Sequence, residues 1–553
     1  MAHDVLETLS EGVRVALARA GLAGEEVPEI VWEIPREPSH GDYATNAAML
    51  LARRQRRSPR QVAEAIREHL PALEAIERAE VGGPGFLNVF LAPGWCYRAM
   101  AEVLQAGAGY GTRRLGAGER VQVEFVSANP TGPLVVVNAR AAAVGDALAR
   151  ILEAVGYAVQ REFYVNDAGN QFLDLARAME CRLRQALGEP AELPEGAYPG
   201  EYVSDLAREY LAEHGGAVLG LAEAERLDRL GRFAVERIVA EQREVLRQYG
   251  VEYDCWFSER VLREAHDPER AVELLREKGY VYEEEGAVWF RSTAFGDEKD
   301  RVLVKSDGEL TYFVPDIAYH LGKFRRGFTK VIDLWGPDHH GYVPRMQAAL
   351  RALGYPEGAL EVLIVQLVRL LRAGEPVRMS KRRGEFVTMA ELIEEVGRDA
   401  ARFTFLTRRH DSPLDFDLEL VTQQSAENPV YYVQYAYARI ASIFGFLRER
   451  RLEVPEWSRV RLERLELPEE VGLIKKVLQY PDVVLQAARA LEPHRIAYYL
   501  QELAAAFHAY YNRHRVVTDD LPLTHARLAL VHGVGLVLRN GLGLLGVSAP
   551  EKM

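Results

Sequence analysis

The sequence predicts an α/β chain built on a doubly wound parallel sheet, preceded by a small α+β domain and followed by an all-α domain. Three stretches carry that expectation. In the first, VQVEFVSA alternates apolar and polar residues, NPTGPLVVVNAR makes a Gly/Pro turn, AAAVGDALARILEAVG has helical periodicity and YAVQREFYV alternates again. Strand, turn, helix, strand is how a parallel βαβ unit reads. In the second, residues 1–110 run through helical patterns and close on GPGFLNVFL, where glycines punctuate an alternating strand. In the third, stretches beyond about residue 420, such as NPVYYVQYAYARIASIFGFLRERR and AYYLQELAAAFHAYYNRHRVV, keep helical periodicity almost throughout.

A chain of 553 residues is too long for one core. Three units are expected: an N-terminal domain over residues 1–110, a Rossmann-type domain over 115–420, and a helical domain over 421–553. Inside the second, the acidic Pro/Gly-rich stretch LGEPAELPEGAYPGEY opens a helical insertion of about residues 186–300. The strands VWFRST, VLVKS and VIDLWG are then expected to complete the sheet.

Composition sets limits on function. With 48% hydrophobic and 27% charged residues the chain has enough apolar surface for several cores, so disorder is not expected to dominate. No apolar run approaches a membrane span, and MAHDVLETLSEGVRVALARAG reads as an amphipathic helix rather than a signal peptide, so a cytoplasmic protein with no membrane partner is expected. Cys96, Cys181 and Cys255 lie far apart without CxxC spacing and are expected as reduced core residues. The net charge of -13 does not advertise nucleic acid, but residues 431–553 carry 16 Lys and Arg against 13 Asp and Glu. That segment is the better candidate for meeting phosphates. The run RRQRRSPR (Arg53–Arg60) reads either as a solvated helix face or as a phosphate contact.

Four segments carry candidate chemistry. The Gly/Pro turn ahead of a helix N-terminus at residues 131–138 can hold phosphates on backbone N–H groups, though structural turns of this sort are common. VRMSKRRGEFVT (Val377–Thr388) clusters a lysine and three arginines, which suits charge developing on a transferring phosphoryl group or makes a plain basic loop. In ELTYFVPDIAYH, Tyr312 and Asp316 share a face if a helix starts near Pro315; with Glu124 they offer a phenol and carboxylates to a cationic ligand. In GPDHHGYVPR, Asp338 and His339 read as polar ligand contacts rather than as a metal site, because adjacent histidines point apart.

Taken in order, GDYATN, GPGFLN, SANPTGPL, FYVNDAGNQ, DCWFSE, LTYFVPDIAYH, WGPDHHGY, RMSK, ENPVYYVQYAYARI and LLGVSAPEKM resemble, across nearly the whole chain, the bacterial arginyl-tRNA synthetases of class I. The resemblance implies a class I Rossmann-type catalytic domain and a ligase joining L-arginine to tRNA(Arg) through an arginyl-adenylate. It also implies ATP and Mg2+, no resident metal site, a monomer, and tRNA binding ahead of amino-acid activation. Carried over by position, Glu124, Asn129, Tyr312, Asp316, Asp338 and His339 would form the arginine pocket. Thr131, Gly132, Pro133, Asn138, Met379 and Lys381 would hold ATP, with Asn138, Ser380 and Lys381 acting in catalysis. Phe86 and Asn88 would meet a D-loop base, and Tyr431, Tyr435 and Arg439 the anticodon, in a domain formed by residues 421–553 whose Tyr510–Arg515 region shares the RNA face. A carboxylate accepting paired N–H bonds is what separates a guanidinium from a lysine ammonium, which favours Asp316 on chemical grounds alone.

One stretch departs from the family pattern. Class I synthetases carry His-x-Gly-His after TGPL, whereas Val135, Val136, Val137 and Asn138 stand here. Val135 offers no donor and Val137 places a β-branched side chain where close approach is wanted, but the Asn138 amide can still donate to a phosphate oxygen. Two readings follow: a working synthetase whose loop relies on backbone N–H groups, Asn138 and Lys381, or a catalytically silent relative that binds tRNA or arginine.

Overall fold

The computed structural model describes residues 5–22, 29–35, 37–377 and 387–553. The N-terminal unit is a four-stranded antiparallel sheet in the order Trp32–Glu33, Tyr43–Thr45, Phe86–Leu91, Ile76–Gly82. The helices Val5–Arg19 and Pro59–His69 accompany it; Ser58 and Gln61 form a reciprocal capping box at the start of the second. That cap ends the basic run, whose Arg53, Arg54, Arg56 and Arg57 are all exposed.

The central unit holds a five-stranded parallel sheet in the order Leu360–Ile364, Lys330–Trp335, Arg120–Glu124, Ala158–Val165, Cys255–Ser258. Arg120–Glu124 is the central strand, and the chain leaves it in both directions, so its C-terminal end lies at the point where strand order reverses. Ligands of doubly wound sheets bind in the crevice at such a point. The helix Val136–Ala154 packs closely on the strand's end: a Cβ on Gly145 would lie 2.2 Å from the Phe125 ring, so glycine is required there.

Two expectations about this sheet need correction. Cys255–Ser258, within DCWFSE, is its edge strand, and Ala287–Phe290 and Arg301–Val304 do not belong to it. They form a separate antiparallel sheet with Val281–Glu284, in which Glu285 (φ 50°) and Gly286 (φ 78°) make a tight hairpin turn. A two-residue connection joins antiparallel neighbours and cannot provide a parallel crossover. The helical insertion also begins earlier than residue 186, with helices Gly169–Ala186, Glu201–His214 and Glu223–Gln248 lying between Ala158–Val165 and Cys255–Ser258. A small sheet of Val368–Arg372, Glu375–Pro376 and Leu414–Asp417 follows the main one.

The C-terminal unit packs the helices Pro429–Glu449, Pro468–Ala490, His494–Arg513 and Leu521–Leu544. Contrary to the sequence expectation, Leu521–Leu544 is long and apolar enough by composition to cross a membrane, but 67% of its most apolar window is buried inside the protein. Its hydropathy is that of a helix surrounded by core. The N-terminal unit docks on this bundle: the Tyr43 hydroxyl donates to Asp482 at 2.6 Å and the Lys475 ammonium to Asp42 at 2.7 Å. GDYATN therefore supplies interdomain contacts. Cys96 and Cys181 are buried as expected, while Cys255 is only half-buried; burial pushes the Cys96 thiol up to about 12 and the Cys255 thiol up to about 11.

Candidate active site

The helix Phe313–Arg325 begins near the reversal point and runs back along the sheet, so that the Arg326 carbonyl beyond its end accepts from Arg120 at the start of the central strand at 2.7 Å; it carries Asp316, His320 and Lys323 on one face, at positions i, i+4 and i+7. The helix starts two residues ahead of Pro315, which falls in the first turn where its missing N–H costs nothing. Lys323 is fully buried, and its ammonium donates to Glu124 Oε2 at 2.5 Å and to Asp333 Oδ1 at 2.8 Å. Burial opposes that charge, yet the Asp333 and Glu124 carboxylates outweigh it and hold the lysine above its ordinary pKa. His320 Nε2 sits 2.7 Å from Asp333 Oδ2. Ser127 Oγ donates to the other Glu124 oxygen at 2.8 Å.

Glu124 therefore has both oxygens engaged by protein groups. It lies beneath the crevice rather than open to a ligand.

Asp316 differs. Its Oδ2 accepts from the Tyr342 hydroxyl at 2.5 Å, and among the described residues no lysine or arginine pairs with it as Lys323 pairs with Glu124 and Asp333. Burial pushes its carboxyl up to about 6, with Glu259 and Glu124 adding to the rise and the Tyr342 hydrogen bond and His320 working against it. Burial raises the pKa of the Tyr164 phenol, and the nearby Glu259 and Asp316 carboxylates add to the rise. Glu259 accepts from the Arg263 guanidinium at 2.6 Å and, with the Asn166 amide turned to satisfy its neighbours, from Asn166 Nδ2 at 2.8 Å. Tyr312 is 71% exposed and its ring lies against Tyr342, centroids 6.0 Å apart, at the rim. Asp338 and His339 are exposed just past the end of Lys330–Trp335.

The nucleotide side is built from different material. Val135 has extended backbone and precedes the helix; the Asn138 side-chain oxygen accepts from the Val135 N–H at 2.8 Å, which is half of a capping box. Only the NH2 of that amide is left to donate to a ligand. The N–H groups of Val136 and Val137 belong to the first turn, which has no intrahelical acceptors. Pairing of Val135 with Thr388 and a hydrogen bond from the Met389 N–H to the Leu134 carbonyl at 2.8 Å bring the chain just after the RMSK segment against this loop. Met379, Ser380 and Lys381 themselves lie outside the described residues. One turn into the helix, buried Arg140 donates to the carbonyls of Gln366, Arg409 and Ser412 at 2.8–2.9 Å. Thr131, Gly132 and Pro133 are half-buried and Asn129 is exposed.

The remaining expected contacts are distributed as follows. Asn88 is 6% exposed, so its amide is less available to a base than expected, whereas Phe86 is half-buried. Tyr431, Tyr435 and Arg439 come together as one stripe: the tyrosines stack at 5.6 Å and the Arg439 guanidinium lies 4.6 Å from the Tyr435 ring and 5.3 Å from Tyr511. Beside them an open cleft of about 590 Å3 is lined by Phe446, Asn512, Arg513 and Arg515 among others. Asn428 and Tyr510 are buried and do not join that face; the Asn428 amide instead donates to the carbonyls of Val421 and Gln423. Sequence reasoning missed Lys323, Asp333, His320, Tyr342, Tyr164 and Glu259. The i+4 and i+7 spacing from Asp316 was a signal for His320 and Lys323; Glu259 needed the strand order.

These observations define a class: residues 99–417 match the family described as tRNA synthetases class I (R), catalytic domain. Residues 7–91 match the arginyl tRNA synthetase N terminal domain and residues 433–553 the DALR anticodon binding domain. The chain is 47% identical over 558 residues to the arginine--tRNA ligase of Desulforamulus reducens, covering all of both chains, and 49% identical to that of Geobacter sp. strain M21, again with full coverage. It is similar to the arginyl-tRNA synthetase structure of Thermus thermophilus, with a TM-score of 0.78, 26% identity, and 99% of this chain and 100% of that one covered. The chain belongs to the arginyl-tRNA synthetase family.

Proposed function

We propose that the chain attaches L-arginine to tRNA(Arg) with ATP as the energy source, and that its valine-rich loop is a working nucleotide site. The observation that carries the arginine side is Asp316: a carboxyl pushed up to about 6 by burial, in a crevice where the neighbouring carboxylates already have protein partners. A guanidinium is a planar cation that a carboxylate holds through paired N–H bonds, and it would restore the charge balance there. Tyr342 orients Asp316, while Tyr312 and Tyr164 supply aromatic surface.

In the first step the arginine carboxylate oxygen attacks the α-phosphorus of ATP, forming an O–P bond as the bond to pyrophosphate breaks. The first-turn N–H groups of Val136 and Val137 and the Asn138 NH2 favour the anionic phosphates from the helix N-terminus, with Lys381 taking charge from the leaving group in this reading. In the second step a ribose hydroxyl at the tRNA 3′ end attacks the carbonyl carbon and AMP leaves. Tyr431, Tyr435 and Arg439 face the anticodon loop and Phe86 the D-loop, through stacking on unpaired bases. Mg2+ supplies charge neutralisation on the phosphates when bound. This reading takes the protein as a cytoplasmic monomer.

A silent, RNA-binding relative is the competing reading, favoured by the missing donor at Val135 and the β-branched side chain at Val137. Charging of total tRNA with labelled arginine decides between them. Product above background, lost in Lys381→Ala, is the expected result; tRNA binding without charging would leave only the binding function.

A further inference from the structure

The Pro/Gly-rich stretch LGEPAELPEGAYPGEY has no part in the chemistry above, yet its last residue reaches the nucleotide loop. The Tyr202 hydroxyl donates to the Thr131 carbonyl, and its ring lies against Gly132, where an added Cβ would stand 3.6 Å from Tyr202 Cζ. A Cβ on Gly200 would lie 2.2 Å from Tyr202 Cε1, so the ring folds back over its own chain only because residue 200 is glycine. From the next helix of the insertion, Gln242, 1% exposed, donates its Nε2 to the Gly132 carbonyl at 2.9 Å and to the Asn129 carbonyl at 3.3 Å. Three carbonyls of the 129–132 segment are thus held from the insertion side.

We propose that the helical insertion is a strut for the nucleotide loop, with Tyr202 and Gln242 as positioning residues that hold the carbonyls of Asn129, Thr131 and Gly132. The inference rests on the reading that this loop binds ATP. Its physical content is specific. A Gly/Pro turn has no side-chain network of its own, and this one has Val135 where a donor would otherwise help fix the ligand. Catalysis that depends on backbone groups requires the backbone to be held within a fraction of an ångström, and both tethers come from outside the parallel sheet. The Gln242 amide oxygen is buried with no hydrogen-bond partner among the described residues, so the side chain keeps a cost on one atom while delivering the other.

That unpaired oxygen makes the test discriminating. Gln242→Met preserves side-chain length and removes both the donor and the costly acceptor, so stability is expected to hold. Tyr202→Phe removes only the hydroxyl. ATP–pyrophosphate exchange, with arginine and tRNA saturating, is measured for both variants, for their combination and for Asn138→Ala, beside melting temperatures. The expected result is an apparent KM for ATP raised roughly tenfold by each strut variant and up to a hundredfold by the pair, with the KM for arginine moved less than about twofold and the melting temperature unchanged. If Asn138→Ala raises the KM for ATP and the paired strut variant does not, the strut is wrong while the nucleotide reading stands. If neither does, the nucleotide reading fails and the strut with it. A melting temperature that falls together with every kinetic constant would reduce Tyr202 and Gln242 to ordinary packing and overturn the proposal.

Discussion

The crevice around Asp316 and the loop at residues 129–138 both lie beyond the C-terminal end of the same central strand and solve opposite problems. The crevice is made of charges: the Lys323 ammonium neutralises Glu124 and Asp333 within 2.8 Å and the His320 ring hydrogen-bonds Asp333, while Asp316 pairs with no lysine or arginine among the described residues. The loop is made of backbone, with valine side chains, one asparagine amide and tethers from a distant insertion. The comparison teaches that a buried ionic site specifies itself through its own side chains, whereas a backbone site depends on whatever holds its carbonyls.

The largest effect is expected from breaking the ionic frame. Lys323→Met leaves Glu124 and Asp333 buried without their cation and is expected to cost about 3–5 kcal/mol of stability, read by denaturant unfolding. A loss below about 1 kcal/mol would mean that the two carboxylates take up protons cheaply, and the contrast with the loop would weaken.

Next is Asp316→Asn, which removes the ligand's counter-charge and nothing structural. Its KM for arginine should rise about a hundredfold or more while the KM for ATP stays within about twofold. Because the folded state raises this carboxyl above its unfolded value, protonation favours the fold: that contribution is complete at pH below the unfolded value of about 4 and is lost as pH rises through about 6. At pH 7 the asparagine variant should therefore be at least as stable as the parent, a point that calorimetry checks directly.

Asn138→Ala comes third, with an expected fall of roughly tenfold to a hundredfold in the rate of exchange, since one neutral donor and half of a helix cap are lost. An effect confined to stability would restrict Asn138 to capping.

The smallest effect is one of pH. On the proposed reading arginine binds the ionised form of Asp316, so its KM should climb about tenfold per pH unit below about 6 and be flat above it, while the KM for ATP shows no inflection there. Equal dependence in both constants would remove the distinction between the two regions.

Legibility in the sequence followed the range of the interaction. Asp316 could be placed on a helix starting near Pro315 from local pattern, although Tyr312 proves to be the residue just ahead of that helix, and the βαβ unit could be read from local alternation. Glu124 was found but its situation was not: Lys323 is 199 residues away in the chain, and nothing local says that the two share a buried ion pair. Asn88 was assigned to RNA from the resemblance and the Tyr510–Arg515 region from its place in the helical domain, and burial removes the side chains of Asn88 and Tyr510 from the surface. The strands Ala287–Phe290 and Arg301–Val304 were credited to the main sheet because alternation says that a strand exists and not which sheet it joins.

By itself, the sequence determined the three-part architecture, the order of the family's motifs and the run of valines at residues 135–137, which carry no side-chain donor. These depend on contacts a few residues apart or on the identity of single side chains. The tertiary structure decided which carboxylates are already neutralised, that Cys255–Ser258 closes the parallel sheet, and that a Pro/Gly-rich insertion grips the loop it never neighbours in sequence. Charge balance and backbone positioning are properties of packed space, set by what the fold brings within a few ångströms, and no local pattern encodes them.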